Sequence, residues 1–370
     1  MEPVRKAWGL SDEAMGWLST AFTLFYAVVG LPLGRLADEW KRIRILSIGV
    51  SVWSLLTVAS GFAWNYWSLF VTRLGVGMGE ATCAPAANSV IGDLYPPNQR
   101  GRALSVFMLG LPIGLFLSYW VSGQIAQAYG WRAAFYFPCL PGLLLAALSL
   151  TIAEPQRGAA DIGPRASRRR EGSPYWLVLT MPTMLWIIVS GALHNFNMYA
   201  SGSFLTAFLI RYHGLSLKEA SFSSAVVLGA VGVIGLLGGG WIADRIGKSR
   251  PHGRLLVAAI ALLAAAPCIY FALEQPPGVV RPFILLMGSG SVLMFVYYAG
   301  VYAAIQEVIE PALRGTAMAI YFCAFYVFGA SFGPPITGRL SDYLARSAMN
   351  ASARPVRARD VGWSPLRRRS

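Results

Sequence analysis

Residues 217–248 decide the fold, and they read LKEASFSSAVVLGAVGVIGLLGGGWIADRIGK. Between Glu219 and Asp244 the chain has 24 consecutive residues without a charged side chain. A helix crosses the hydrocarbon core of a bilayer, ~30 Å thick, with about 20 apolar residues. This stretch therefore predicts a membrane-spanning helix. Its glycines suit a membrane bundle, where small residues let neighbouring helices approach closely.

Apolar runs of this kind recur along the whole chain. Hydrophobic residues make up 55% of the 370 residues and charged residues 13%, whereas soluble domains average about 25% charged residues. We therefore expect an all-α membrane protein with about ten transmembrane helices. The predicted spans are residues 14–37, 43–63, 66–92, 101–127, 131–153, 183–210, 217–243, 254–273, 282–309 and 314–338.

The basic residues indicate topology rather than nucleic-acid binding, although the net charge is +14. They lie in short loops between the apolar runs. If the loops alternate sides, sixteen Lys and Arg residues collect on one side and six on the other, counted up to the tenth span. The richer side is cytoplasmic by the positive-inside rule. We expect the lipid bilayer and no nucleic acid as a partner, and a bacterial inner membrane as the location.

The longest polar stretch between spans is residues 154–174, whose Arg, Gly and Pro content is typical of a linker. It predicts an N-terminal bundle at residues 1–153, a cytoplasmic linker, and a C-terminal bundle at 175–344. A polar, Arg-rich tail at 345–370 is expected to be disordered. The four cysteines lie inside spans without paired or metal-ligand spacing, so we expect no metal site and no cofactor.

The two halves repeat the same landmarks in the same order. Ser216 with Glu219 three residues later is typical of a capping box at a helix start. Parallel repeats of this kind are a transporter architecture, with the site at the repeat interface. The matching pairs are Gly9-Leu10-Ser11 with Gly214-Leu215-Ser216, residues 34–38 with residues 240–244, and Asp93 and Arg100 with Glu307 and Arg314.

Two loops resemble the signature loop of the major facilitator superfamily. The first is GRLADEWKR at residues 34–42, and the second is its repeat GWIADRIGK at residues 240–248. Four further segments resemble the Spinster-like branch of that superfamily. They are RLGVGMGEA at 73–81, DLYPP at 93–97, RGRA at 100–103 and GWRAAF at 130–135. The resemblance covers about residues 9–342. It implies the major facilitator fold, which has two pseudo-symmetric helical bundles and transports by alternating access.

The sequence departs from that family in two ways. Glu39 stands where the family usually has Arg. The family also has twelve helices, whereas we count ten, since residues 1–9 resemble only the end of a first helix and the polar tail replaces a twelfth. We expect a frameshifted or misannotated reading frame to account for both ends.

Arg73 and Glu80 are charges inside the third span, two helical turns apart on one face. A charge at the centre of a spanning helix costs ~2.5–3.5 kcal/mol, so such residues rarely face lipid. We expect Glu80 to carry the coupling proton, and Arg73 to pair with it or to hold an anionic substrate. The alternative is an ion pair that fastens two helices.

Polar residues in the sixth and ninth spans are candidates for lining a substrate cavity, although helix packing would explain them too. His194, Asn197 and Ser201 share one face of a helix. The complete candidate set is His194, Asn195, Asn197, Ser201, Tyr298, Tyr302 and Gln306.

The resemblance also implies a cytoplasmic gate. In the family the loop aspartate caps a helix of the opposite bundle, and the cation four residues later pairs with the acid that ends the next-but-one helix. Here those pairs are Arg42 with Asp93 and Lys248 with Glu307. The gate candidates are Asp38, Arg42, Asp93, Arg100, Asp244, Lys248, Glu307 and Arg314.

Together these features predict a proton-coupled secondary transporter, and not an enzyme, for a small amphiphile or organic anion. By the resemblance the substrate is lysolipid-like. A drug-type proton antiporter and a truncated, non-transporting membrane protein are the alternatives. We expect the protein to act as a monomer.

Overall fold

The computed structural model describes residues 2–95, 103, 106–156, 174–247, 249–250, 252–309 and 314–352. The regular structure of these residues is helical throughout, and helices occupy all ten predicted spans. Within the described ranges, six helices are long and apolar enough to cross a membrane by length and composition. They are Arg42–Gly61, Val106–Tyr129, Leu217–Gly247, Gly253–Leu273, Val280–Ile305 and Ala317–Ser347. The expected all-α membrane architecture is therefore confirmed.

Among the described residues, the first half of the chain contributes eight helical segments to one bundle. They are α1 (Glu2–Trp8), α2 (Asp12–Glu39), α3 (Arg42–Gly61), α4 (Tyr66–Glu80), α5 (Cys83–Leu94), α6 (Gly110–Tyr129), α7 (Ala133–Tyr136) and α8 (Cys139–Ser149).

In the described part of the second half there are eight more segments, two of which continue through π-helical turns at Val226–Ala230 and Phe325–Ala330. They are α9 (Pro174–Leu179), α10 (Pro182–Arg211), α11 (Leu217–Ala225), α12 (Val231–Gly247), α13 (Gly253–Leu273), α14 (Val280–Val308), α15 (Arg314–Ala324) and α16 (Gly333–Ser352).

The Gly-Leu-Ser landmarks begin two equivalent helices, as the repeat predicts. Gly9 and Gly214 have φ values of 60° and 71°, a conformation that glycine adopts without strain. At the start of α2, Ser11 Oγ accepts a hydrogen bond from the amide of Ala14 (3.1 Å). At the start of α11, Ser216 and Glu219 form a reciprocal capping box.

The third predicted span is two helices rather than one. α4 ends at Glu80, and a turn at Ala81 and Thr82 precedes α5. Thr82 Oγ1 donates to the carbonyl of Gly79 (2.8 Å), and Pro85 has no amide hydrogen with which to continue the helical ladder to Ala81. Glu80 is therefore the last residue of a helix and not, as predicted, an interior one.

The last helix runs past the predicted boundary at residue 344. α16 continues to Ser352, so the first eight residues of the tail expected to be disordered are helical. Their sequence, ARSAMNAS, includes Ala, Arg and Met, which are good helix formers. Residues 353–370 lie outside the described residues.

The two bundles pack through α2 against α16 and through α6 against α11. Small residues permit this approach, since a Cβ on Gly16 would lie 2.5 Å from Pro335 Cα and one on Gly229 would lie 2.4 Å from the Phe116 nitrogen. We call the end of the molecule at Glu154 and Pro155 the linker end. The opposite end, where α2 and α11 begin, is the distal end.

Candidate functional site

A cavity of about 520 Å³ lies among α2, α3, α4, α6 and the start of α8. Its wall includes both charged candidates of the third span, Arg73 and Glu80. Aromatic, hydroxyl and charged groups together suit a ligand with polar and apolar parts. The remaining lining residues are Phe22, Trp53, Ser54, Thr57, Val76, Ser118, Tyr119 and Pro138.

Arg73 contacts Ser60 and Phe135 on neighbouring helices of the first bundle rather than Glu80 on its own helix. Its guanidinium donates to Ser60 Oγ (2.8 Å) and lies over the ring of Phe135, 5.1 Å from the centroid. Its Nε is buried and has no hydrogen-bond partner among the described residues. The ion pair with Glu80 that the sequence suggested is not formed, although both side chains line the same cavity.

Glu80 is exposed at the cavity, and a separate group of tyrosines joins the two bundles. Tyr26 of α2 packs against Tyr326, with ring centroids 4.9 Å apart, and Tyr199 of α10 lies 6.3 Å from Tyr326. These contacts carry no sequence signal, because they join residues distant in the chain.

Tyr119 extends the same cavity to the second bundle. It lines the cavity wall, and its hydroxyl donates to the carbonyl of Gly202 on α10 (2.6 Å). The cavity is therefore bounded by a contact that crosses between the bundles.

His194 lies at a second cavity of about 290 Å³ among α10, α13 and α14. Its side chain is stacked on Tyr297 at 4.3 Å and meets Tyr298 edge-on at 4.7 Å. Only 4% of its surface is exposed, and neither ring nitrogen has a hydrogen-bond partner among the described residues. Asn197 lines the same cavity and accepts a hydrogen bond from Ser201 Oγ (3.2 Å).

Other predicted cavity residues lie in the packed interior of the second bundle. Asn195 is fully buried and donates from Nδ2 to the carbonyl of Phe325 (2.8 Å), which ties α10 to the neighbouring π-helical turn. Tyr298 is buried, and Tyr302 packs against the same aromatic core. The side chain of Gln306 lies outside the described residues. The structure therefore brings His194, Asn197 and Ser201 together and separates them from Arg73 and Glu80.

Arg42 forms the charge cluster expected at the linker end of the first bundle. Its side chain is 1% exposed and forms ion pairs with Asp93, as predicted, and with Glu154 (2.8 Å). It also donates to Ser89 Oγ (2.9 Å) and to the carbonyl of Pro155 (2.8 Å). Sequence reasoning missed Glu154, which was assigned only to the linker.

Burial acts to raise the pKa of Glu154, but this effect is outweighed by two favourable contacts. The amide of Ile43 donates to its carboxylate (3.0 Å), and Arg42 pairs with it. The pKa of Glu154 consequently lies below its ordinary value of 4.5.

The second-half counterpart of this cluster is described only in part. Asp244 pairs with Arg254 (3.0 Å), a partner that the sequence did not indicate. Arg100 and Lys248 lie outside the described residues. Asp38, Glu307 and Arg314 lie on helices, but their side chains are not among those described, so the pairing of Lys248 with Glu307 stays a prediction.

Comparisons with known proteins extend over almost the whole chain. A family model for the Major Facilitator Superfamily matches residues 1–349. The chain is 30% identical over 344 residues to an MFS-type efflux pump of Mycolicibacterium smegmatis, covering 93% of this chain and 79% of that protein. It is 31% identical over 360 residues to protein spinster homolog 3 of Mus musculus, covering 92% and 70%.

A solved structure gives the same result for the fold. The crystal structure of a bacterial homolog to the human lysosomal transporter Spinster, in an inward-facing and unoccupied conformation, matches with a TM-score of 0.84 at 27% identity. The match covers 95% of this chain and 79% of that chain.

Proposed function

Because this chain belongs to the major facilitator superfamily, among its Spinster-like members, and is a secondary transporter rather than an enzyme, we propose that it couples proton movement to the transport of a small amphiphile or organic anion. In this proposal the coupling depends on Glu80 and Arg73. The observation that supports this proposal is the shared cavity of about 520 Å³, whose wall includes both side chains. Apolar and hydroxyl groups form the rest of that wall, which suits an amphiphile.

Arg73 supplies a fixed positive charge for an anionic head group. Ser60 and Phe135 hold its guanidinium, while its Nε has no partner among the described residues. A guanidinium at a cavity wall binds carboxylate or phosphate oxygens through charge-assisted hydrogen bonds.

Glu80 supplies the exchangeable proton. When Glu80 is ionised, its carboxylate opposes an anion in the cavity, and when it is protonated, the charge of Arg73 attracts that anion without opposition. Proton and anion therefore favour each other's binding, and by linkage the coupling is reciprocal. This arrangement gives symport of a proton with an anionic amphiphile, which is lysolipid-like by the resemblance to Spinster relatives.

The test is uptake into proteoliposomes with an imposed pH gradient, using a lysolipid as the first substrate. Glu80→Gln is expected to abolish the gradient dependence while residual exchange without a gradient persists. Arg73→Gln is expected to weaken uptake of an anionic lysolipid more than that of an uncharged one. The matched controls are Glu274→Gln and Arg281→Gln, two exposed side chains near the distal end. Gradient-dependent uptake by Glu80→Gln equal to that of its control would contradict the proposal.

A drug-type proton antiporter is the second candidate, because the chain is similar to an MFS-type efflux pump. Antiport predicts export of lipophilic cations from vesicles against a proton gradient. In that mechanism Glu80 binds the cation and the proton in turn, and Arg73 lowers cation affinity. Under antiport, Arg73→Gln improves cation binding, whereas under symport it impairs anion binding.

We assign the linker end to the cytoplasm of a bacterial cell whose inner membrane contains the protein, acting as a monomer. The excess of basic residues in the linker-end loops supports this orientation. The charged groups at that end are then the cytoplasmic gate, with Arg42 and Asp93 as its described pair.

A further inference from the structure

Two of the polar contacts between the bundles at the distal end are matching helix caps. Asp342 near the middle of α16 accepts hydrogen bonds from the amides of Asp12 (3.1 Å) and Glu13 (2.9 Å), the first two residues of α2. Gln127 of α6 accepts one from the amide of Lys218 (2.5 Å), the second residue of α11. Amides in the first turn of a helix have no partner within the helix, so each cap satisfies donors across the boundary between the bundles.

The capping residues belong to a repeat in the sequence. Residues 123–127 read GQIAQ and residues 338–342 read GRLSD, and the two segments are 215 positions apart. The helix starts that they cap, at Asp12 and Leu217, are 205 positions apart. Both the capping segment and the capped helix are therefore duplicated, which makes the two contacts equivalents under the pseudo-symmetry of the halves.

The glycine of each repeat lies at a close approach of the two helices. A Cβ on Gly338 would be 2.3 Å from the carbonyl oxygen of Asp12, and one on Gly123 would be 2.2 Å from Ser221 Cβ. Any larger residue would separate the helices. Because each glycine allows this approach, the start of the opposite helix lies within hydrogen-bond distance of the capping residue four positions later, which is Asp342 or Gln127.

The two caps differ in charge. At the Asp342 cap, Arg211 of α10 pairs with Asp12 (2.6 Å) and with Glu2, and Ser341 Oγ donates to Asp12 (3.1 Å). Burial acts to raise the pKa of Glu2, but its hydrogen bonds with Arg211 and Arg5 outweigh that effect and lower it. The Gln127 cap is neutral. An anionic cap also interacts favourably with the helix dipole.

We propose that Asp342 and Gln127 form a distal latch, which holds the two bundles together at this end and must open in each transport cycle. Both contacts break if α2 separates from α16 and α6 from α11. The residues act as positioning residues: they set the population of the conformation that is closed at the distal end, and they contact no substrate.

The closest alternative is that these caps only stabilise the helices. The chain offers a matched control, because Ser11 and Ser216 cap the same two helices from within the same bundle. Removing those serines weakens the helix starts equally without touching the boundary. A latch residue and a purely structural cap therefore give different results.

The experiment measures spin-label distances on the full chain in liposomes, with the four native cysteines replaced by serine. The label pairs are Trp64→Cys with Glu274→Cys at the distal end and Lys41→Cys with Ser249→Cys at the linker end. Asp342→Ala, the milder Asp342→Asn and Gln127→Ala are compared with Ser11→Ala and Ser216→Ala. Loss of a helix cap typically changes the equilibrium between the capped and uncapped states about fivefold.

We expect the Asp342 and Gln127 variants to increase the distal-open population about fivefold and to shorten the linker-end distance. Ser11→Ala and Ser216→Ala are expected to lower thermal stability and leave both distance distributions unchanged. The proposal is overturned if the two classes of variant give the same distributions. It is also overturned if Asp342→Asn, which keeps one acceptor oxygen, shifts the population more than Asp342→Ala.

Discussion

Replacing Arg42 tests how the first bundle is held together at the linker end. Its guanidinium is 1% exposed and contacts Asp93, Glu154, Ser89 and the carbonyl of Pro155. Removing one partner from a buried ion pair costs about 3–5 kcal/mol. Because Asp93 and Glu154 are 14% and 25% exposed, water reaches the carboxylates left behind, and we expect the lower figure, about 3 kcal/mol.

The assay is thermal unfolding of the purified chain in detergent. With an unfolding entropy of about 2.1 cal/mol/K per residue, a loss of about 3 kcal/mol in this chain of 370 residues corresponds to a fall in Tm of roughly 4 °C for Arg42→Gln. Arg42→Lys retains the charge but cannot bridge several acceptors in one plane, so we expect about half that fall. The control is Arg44→Gln, an exposed arginine two residues away on the same helix. If Arg42→Gln melts within about 2 °C of this control, the cluster does not stabilise the bundle as argued.

The same cluster predicts a pH dependence. The pKa of Glu154 is lowered in the folded chain, below the unfolded value of 4.5. Its stabilisation is therefore complete above pH 4.5 and is lost as the pH falls through the lower folded value. The difference in Tm between the unmodified chain and Glu154→Gln should be largest at neutral pH and disappear at the acid end. A difference that grows on acidification would reverse the assigned sign.

Three further predictions concern packing, the second cavity and topology. Gly338→Ala places a Cβ 2.3 Å from the carbonyl of Asp12 and should lower both Tm and transport, whereas Gly240→Ala, with open space around it, should change neither. His194→Phe keeps the stacking on Tyr297 and removes nitrogens that have no described partner, so Tm should hold or rise; a fall in transport at unchanged Tm would show that the imidazole contacts substrate. An impermeant maleimide added to intact cells should label Glu274→Cys and not Ser249→Cys, and the reverse pattern would invert the assigned orientation.

The helices were predictable from sequence because their signals are local. A run of about 20 apolar residues is sufficient to indicate a span, and the Gly-Leu-Ser landmarks with their capping serines predicted the starts of α2 and α11. The pair of Arg42 with Asp93 was also predictable, because the resemblance to a family supplied a contact that no local pattern contains.

The remaining features of the site depend on contacts between distant residues. Arg42 and Glu154 are 112 positions apart, and Glu154 was therefore read as part of a linker. Arg73 was expected to pair with Glu80 on its own helix, whereas Ser60 and Phe135 on neighbouring helices hold it. The helix break after Glu80 follows from Thr82 and Pro85. A count of apolar residues does not detect their combined effect.

That break turns α5 into a short lever. Its 12 residues form a rod of ~18 Å, which begins after the turn at Ala81 and Thr82 and is anchored near its other end by the ion pair of Asp93 with Arg42. A tilt of about 10° at this turn displaces the far end of such a rod by roughly 3 Å, the length of a hydrogen bond. The turn that follows the Glu80 carboxylate and the charge cluster at the linker end thus lie at opposite ends of α5.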